Sequence, residues 1–167
     1  WVGEMISDIK QPILLVTYPG KEEEAVIRLA RVGYDNAVGY LEGGFSAWQN
    51  AGKETETINR ITAEEFARLY ATGKPVVIDV RKKSEFDSQH AVDALNIPLN
   101  QINSHLQQFP KNKPFVLNCA GGYRSMIAAS LLKQRGFDNF VDVVGGFTEI
   151  AKTDVPKTSY VCPSTLL

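Results

Sequence analysis

Cys119 opens the run Cys119-Ala120-Gly121-Gly122-Tyr123-Arg124-Ser125, in which a soft nucleophile, two glycines and a permanent cation fall within six residues. The apolar stretch Pro114 to Asn118 before it reads as a strand buried on both faces, and Ile127, Leu131 and Leu132 after it recur at helical spacing. The cysteine therefore stands where a strand hands over to a helix. Ligands of open parallel sheets bind at the carboxyl ends of the strands. The first N–H groups of a helix lack intrahelical partners and, with the dipole behind them, stabilise an anion. Gly121 and Gly122 let the backbone curl so that several N–H groups converge on one centre, and Arg124 adds a cation at the rim. A cysteine in such a cradle is favoured as thiolate, and the cradle would hold a persulfide or an oxyanion equally well. The competing reading, a small buried hydrophobe, applies to most lone cysteines but leaves the glycine pair and arginine unexplained.

Other residues able to do chemistry are few. Asp79 and Arg81 close an apolar strand and sit near Glu85; they read either as supports that tie the strand end to the loop or to Glu85, or as an ordinary ion pair. His90 reads as a structural hydrogen-bonding residue and His105 as a solvated one, and two histidines without ligand spacing leave no metal site to expect. Cys162 precedes Pro163 in a polar tail and reads as incidental rather than as a resolving thiol. Two cysteines are too few for a disulfide scaffold, so a reducing, cytoplasmic setting is the expectation. A net charge of -1 supplies no general attraction to nucleic acid or anionic membranes. No apolar run reaches the length of a membrane helix, and 44% hydrophobic with 22% charged residues is the balance of a folded globular chain. The chain begins at Trp1, which suggests a piece of something longer.

The elements that must position Cys119 occur in an internal repeat. Pro12-Ile13-Leu14-Leu15-Val16-Thr17 parallels Pro114-Phe115-Val116-Leu117-Asn118-Cys119, and each run passes through a glycine-containing turn into a helical stretch, the first carrying Val26, Ile27 and Ala30. The helices stop at Gly33-Tyr34-Asp35-Asn36 and Gly136-Phe137-Asp138-Asn139, and strands follow at Ala37–Leu41 and Phe140–Val144. Both copies close on Gly-Gly-Phe, with Trp48 following the first as a core residue. The offset is 102 residues at the prolines (12 and 114) and at the glycine pairs (43 and 145). Only the second copy has organised sequence ahead of it. Thr62-Ala63-Glu64-Glu65 is a capping box opening a helix through Phe66, Leu69 and Tyr70, and Gly73-Lys74-Pro75 turns the chain into the strand Val76–Asp79. Ser84 is expected to cap a short helix, Ala94–Pro98 to form a strand, and Ile102, Leu106 and Phe109 to line a helix ended by Pro110. The expected organisation is a partial copy with its polar linker (Gln49–Thr57) over 1–57, an intact α/β domain over 58–157 and a tail over 158–167.

Residues 58–157 resemble a rhodanese domain. The six-residue loop from Cys119 to Arg124 fits the family's catalytic loop, Asp79-Val80-Arg81 with Glu85-Phe86 matches its first signature, and Gly145-Gly146-Phe147 its closing turn. Gln89 to Pro98 is similar to its second signature, with Gln89 and Asp93 where glycine is usual and Ala91 where isoleucine is. The resemblance implies a three-layer α/β fold whose mainly parallel sheet is covered by helices on both faces. It also implies a cofactor-free sulfurtransferase, with Cys119 taking sulfane sulfur from thiosulfate or a persulfide and passing it to a thiol or cyanide. On this reading Arg124 and Cys119 are catalytic, Ala120, Gly121, Gly122, Tyr123 and Ser125 form the anion-binding loop, and Asp79, Arg81 and Glu85 support it. Phosphatases and arsenate reductases of the same superfold have five residues between Cys and Arg, whereas four stand here. A binding module without turnover describes the first copy better, where Thr17 replaces the cysteine and Pro19 removes an N–H donor. A degenerate copy ahead of an intact one resembles the tail of bacterial fusions that begin with a metallo-β-lactamase-fold persulfide dioxygenase. Exposed sheet edges in residues 1–57 lead us to expect a homodimer formed through that segment.

Overall fold

The computed structural model describes residues 2–73 and 75–162, in two compact units that meet in sequence at Thr57 and Ile58. Lys74, in the expected turn, and residues 163–167 of the expected tail lie outside the described residues.

The first unit carries α1 (Val2–Met5), β1 (Ile13–Leu15), α2 (Glu22–Ala30), β2 (Ala37–Tyr40) and α3 (Gly44–Asn50). β1 and β2 pair in parallel, with Ile13 opposite Ala37 and Leu14 opposite Gly39. α2 turns Ala25 and Leu29 inward while Val26 and Ile27 stay exposed, so the apolar face lies one step round from the expected one. Trp48 is also not core: it is 41% exposed, and its indole N–H donates to the Glu54 carbonyl at 2.8 Å. Gln49 and Asn50, expected in the linker, complete α3.

The second unit runs β3 (Arg60–Ile61), α4 (Ala63–Gly73), β4 (Val76–Asp79), α5 (Lys83–Ser88) and β5 (Leu95–Asn96). It continues through two 3-10 turns (Leu99–Ser104 and Leu106–Gln108) to β6 (Phe115–Asn118), α6 (Tyr123–Gln134), β7 (Phe140–Val143) and α7 (Gly146–Ile150). The strands form a parallel sheet in the order β3-β7-β6-β4-β5. All four residues of β6, at its centre, are buried, as a parallel strand covered on both faces requires. On one face Phe66 and Tyr70 of α4 join Val77, Val116, Val143 and the α7 residues Phe147 and Ile150 in a single core. On the other, α6 packs with the 3-10 segment, and Phe109 contacts the rings of Phe115 and Phe137. Full burial of each such side chain contributes about 1.5–3 kcal/mol. This is the three-layer α/β arrangement expected from the sequence.

Local chemistry explains the element boundaries. The Glu65 carboxylate accepts the Thr62 N–H at 2.7 Å and the Thr62 hydroxyl accepts the Glu65 N–H at 3.2 Å, a reciprocal cap worth ~1 kcal/mol. α5 starts two residues earlier than the Ser84 cap implied: Lys82 is its N-cap, and Glu85 accepts the Lys82 N–H. The stretch from Ile102 to Phe109 forms 3-10 turns instead of the expected α-helix. There Ser104 Oγ donates to the Gln101 carbonyl, and the His105 N–H is shared between Gln101 and Ile102, a geometry that tightens the turn. α6 buries Ser125, Ala128, Ala129 and Leu132, so its close face is made of small residues and Ile127 and Leu131 lie at its half-buried flanks. Asp93, where the family has glycine, is the one non-glycine residue at positive φ (64°) among the described residues; its short polar side chain tolerates that region. Gln89 is extended, a conformation that needs no glycine. The expected tail is anchored where described: Thr158 N–H donates to the His90 carbonyl and Val161 N–H to that of Ser88. Among the described residues no helix is long and apolar enough to cross a membrane.

The two units share one backbone detail. A Cβ built on Gly44 would lie 2.2 Å from the Thr17 carbonyl oxygen, and one on Gly146 would lie 2.2 Å from that of Cys119. Their surroundings differ. Phe45 is 53% exposed where its counterpart Phe147 is 8%, and Trp48 faces solvent where Ile150 is fully buried, because α4 has no equivalent within the first unit.

Candidate active site

Cys119 follows the last residue of β6 directly, and Gly122, at φ +92°, is the N-cap of α6. Strand end and helix start are thus joined by the four residues 119–122, a tight turn that the left-handed glycine at its end allows. The turn brings the Gly122 N–H to the Cys119 sulfur, to which it donates at 3.1 Å. Cys119 is 1% exposed, so its sulfur sits in the cradle instead of on the surface. The carbonyls of the same segment point the other way. Cys119 accepts the Phe147 N–H at 2.6 Å, and Ala120 accepts both the N–H and the hydroxyl of Thr148, at 3.0 and 2.9 Å. α7 therefore pins the outer side of the loop and leaves the Gly122 N–H directed at the sulfur.

Arg124 stands in the first turn of α6 and makes a two-pronged pair with Glu85 of α5: Nη2 donates to Oε1 at 2.8 Å and Nη1 to Oε2. The guanidinium hydrogen bond holds the Glu85 carboxyl below the usual carboxylate range, and the same bond raises Arg124. From sequence, the strand end at Asp79 and Arg81 is expected to tie either to the loop or to Glu85; the structure gives Glu85 to Arg124. The side chain of Arg124 is 12% exposed against 35% for Glu85, so the pair straddles the rim.

Asp79 and Arg81 make their own buried pair. Arg81 Nε donates to both carboxylate oxygens, at 3.0 and 2.8 Å, and Nη2 also reaches the Gln89 carbonyl at 2.8 Å. The Arg81 guanidinium lies 4.1 Å from the centroid of Phe147, whose N–H holds the Cys119 carbonyl. The pair thus braces the loop through α7. Gly121 and Tyr123 are exposed beside it, and Ser125 is fully buried beneath it. His90 donates from Nδ1 to the Phe86 carbonyl and stacks on the Phe86 ring at 3.6 Å, while half-buried His105 contacts the Gln101 carbonyl. Cys162 is exposed.

Two further residues join the site that sequence reasoning had passed over. Arg60 of β3 donates from Nε to Asp142 of β7 at 2.9 Å, and Asp142 is fully buried. Burial raises the Asp142 carboxyl above its ordinary value, against the opposing effects of Ser125 and Arg60. Ser125 Oγ and Asp142 Oδ1 meet no partner in full hydrogen-bonding geometry. An acidic residue inside an apolar strand was the signal available for this pair.

Comparison with known proteins agrees with this geometry. The model of the rhodanese-like domain matches residues 62–153. A sulfurtransferase of Allochromatium vinosum is 29% identical over 100 residues, covering 59% of this chain and 94% of that protein. The uncharacterised protein YqhL of Bacillus subtilis is 37% identical over 87 residues, 52% of this chain and 68% of its own. The crystal structure of a rhodanese-like domain protein from Staphylococcus aureus superposes with a TM-score of 0.55 at 31% identity, over 61% of this chain and all of that one. By its fold, its cysteine loop and these matches, the chain belongs to the rhodanese-like domain family.

Proposed function

We propose that the second unit is a sulfurtransferase that carries sulfane sulfur on Cys119. The Cys119 thiolate attacks the outer sulfur of thiosulfate or a persulfide. A sulfur–sulfur bond forms on Cys119 as that of the donor breaks, and sulfite or the donor thiolate leaves with the electron pair. A thiolate or cyanide then attacks the terminal sulfur, and Cys119 departs as thiolate. No external oxidant or reductant enters. The Gly122 N–H, preset at the sulfur, and the start of α6 behind it stabilise the anion that persists through both halves. Arg124, fixed by Glu85, positions an anionic donor at the rim.

The observation that carries this reading is the Gly122 N–H donating to Cys119 Sγ in a loop whose carbonyls are tied back to α7. Four residues between Cys119 and Arg124 favour sulfur transfer over phosphate chemistry. The first unit is read as half of a degenerate copy, supported by the shared Gly44 and Gly146 geometry and by Thr17 at the cysteine position. The donor is a small persulfide or thiosulfate, and a fused persulfide dioxygenase, which oxidises persulfide sulfur, would draw on the same persulfide pool. Steady-state kinetics with thiosulfate and cyanide tests the mechanism. Parallel double-reciprocal lines and complete loss of turnover in Cys119→Ser are expected, with Cys162→Ser unchanged; undiminished turnover in Cys119→Ser would overturn it.

A further inference from the structure

Beside the loop lies an open cavity of about 500 Å³, lined by Arg60, Gly122, Tyr123, Met126, Ile127 and Ser130. It adjoins the sulfur without including it: Gly122, whose N–H holds Cys119 Sγ, forms part of its wall. Arg60 supplies the charge. Its Nε is committed to Asp142, and its Nη2 would be 3.5 Å from a Cβ on Gly122, which puts the guanidinium directly against the loop. The Asp142 pair fixes the guanidinium in place, since the carboxylate behind it is fully buried, while the Arg60 side chain keeps 38% of its surface exposed. Met126 and Ile127, on the first turns of α6, give the cavity an apolar wall. A preset guanidinium beside an apolar wall suits a carboxylate at the end of a short aliphatic body.

We infer that this cavity is a subsite for the organic body of the sulfur donor, and that the donor it fits is a low-molecular-weight persulfide bearing a carboxylate. The inference rests on the sulfur-transfer reading above. With the persulfide sulfur at Cys119, the carbon chain runs over Gly122 and along Met126 and Ile127, and the carboxylate meets the Nη groups of Arg60. Thiosulfate, a compact dianion without a carbon body, uses the loop and Arg124 alone. Arg60 is then a specificity residue that contributes nothing to bond making.

The test compares three donors: thiosulfate, the persulfide of N-acetylcysteine, and the persulfide of N-acetylcysteine amide, which lacks only the carboxylate. Unmodified protein is expected to prefer the carboxylate over the amide by about tenfold or more in kcat/KM, as for one charge-assisted contact. Arg60→Gln should erase that preference, bringing kcat/KM for the carboxylate donor down to that of the amide. Because Arg60→Gln also strips Asp142 of its partner and the variant could fail to fold, Ser130→Asp serves as the second variant. Ser130 is exposed, touches neither Asp142 nor the cysteine loop in any hydrogen bond described, and lines the same cavity. Its substitution should raise KM for the carboxylate donor only, and Ser130→Arg should lower it. Equal use of the two organic persulfides by the unmodified protein, or an equal effect of Ser130→Asp on all donors, would overturn the subsite while thiosulfate turnover upheld sulfur transfer. Inactivity of the unmodified protein toward all three donors would instead overturn the sulfur-transfer reading itself.

Discussion

Gly146→Ala is the sharpest single perturbation of the scaffold that holds Cys119. Gly146 begins α7 at φ +57°, and a Cβ there would stand 2.2 Å from the Cys119 carbonyl oxygen and 2.9 Å from that of Ala120. The left-handed backbone alone costs a non-glycine residue ~1–2 kcal/mol. Relieving the overlap adds about 1–3 kcal/mol, because the obstacle is backbone held by the Phe147 and Thr148 N–H groups and not the end of a flexible side chain. A loss of about 2–5 kcal/mol is expected, out of the ~5–15 kcal/mol available to a domain. In urea the unfolding midpoint should fall on the order of 1–2 M. Gly121→Ala is the control: no atom lies within 4 Å of its Cβ position and its φ is not in the left-handed range, so its unfolding free energy should stay within about 0.5 kcal/mol of the unmodified protein and its midpoint should barely move. Where Gly146→Ala still folds, the displaced Cys119 carbonyl moves the sulfur with it, and sulfur transfer should drop by roughly 100-fold for a shift near 1 Å. Equal midpoints for the two variants would refute the close approach and with it the account of how α7 sets the loop.

The Glu85–Arg124 pair gives a pH signature. Glu85 is lowered in the folded protein, so its stabilisation is present above the ordinary carboxylate range and is lost as pH falls through the lowered value. Denaturation from neutral pH down to about pH 3 should show unmodified protein and Glu85→Gln converging in acid; a constant gap would refute the pairing. Aryl phosphates should not be hydrolysed, and one glycine inserted between Gly122 and Tyr123 should weaken sulfur transfer by widening the loop; phosphatase activity in the unmodified protein would favour the longer-loop chemistry. Exposed Leu14, Phe45 and Trp48 in the first unit lead us to expect a dimer by sedimentation, and a monomer at all concentrations would refute that association.

Features written in short stretches of chain were legible before any coordinates. The Thr62–Glu65 cap, the apolar runs that became β4 and β6, and the glycine pair at the head of α7 each depend on residues within a few positions of one another. The cysteine loop was legible for the same reason, because strand, turn and helix start are contiguous around Cys119. Partnerships across the fold were not. Glu85 lies 39 residues from Arg124, and Arg60 lies 82 from Asp142, distances at which sequence holds no record of pairing. The 3-10 turns escaped because apolar residues three and four apart serve either helix type, and the Ser104 and His105 bonds to Gln101 decided between them. Trp48 was misplaced because the position 102 residues on, Ile150, is core where α4 packs against α7, and the first unit has no such helix.

Mass spectrometry of the peptide containing Cys119, after brief incubation with thiosulfate or an organic persulfide and without acceptor, tests the central claim most directly. The account predicts the added mass of one sulfur atom on Cys119, removed on addition of cyanide, with no such gain on Cys162. A donor consumed while Cys119 stays unmodified, or sulfur found on Cys162 instead, would contradict it.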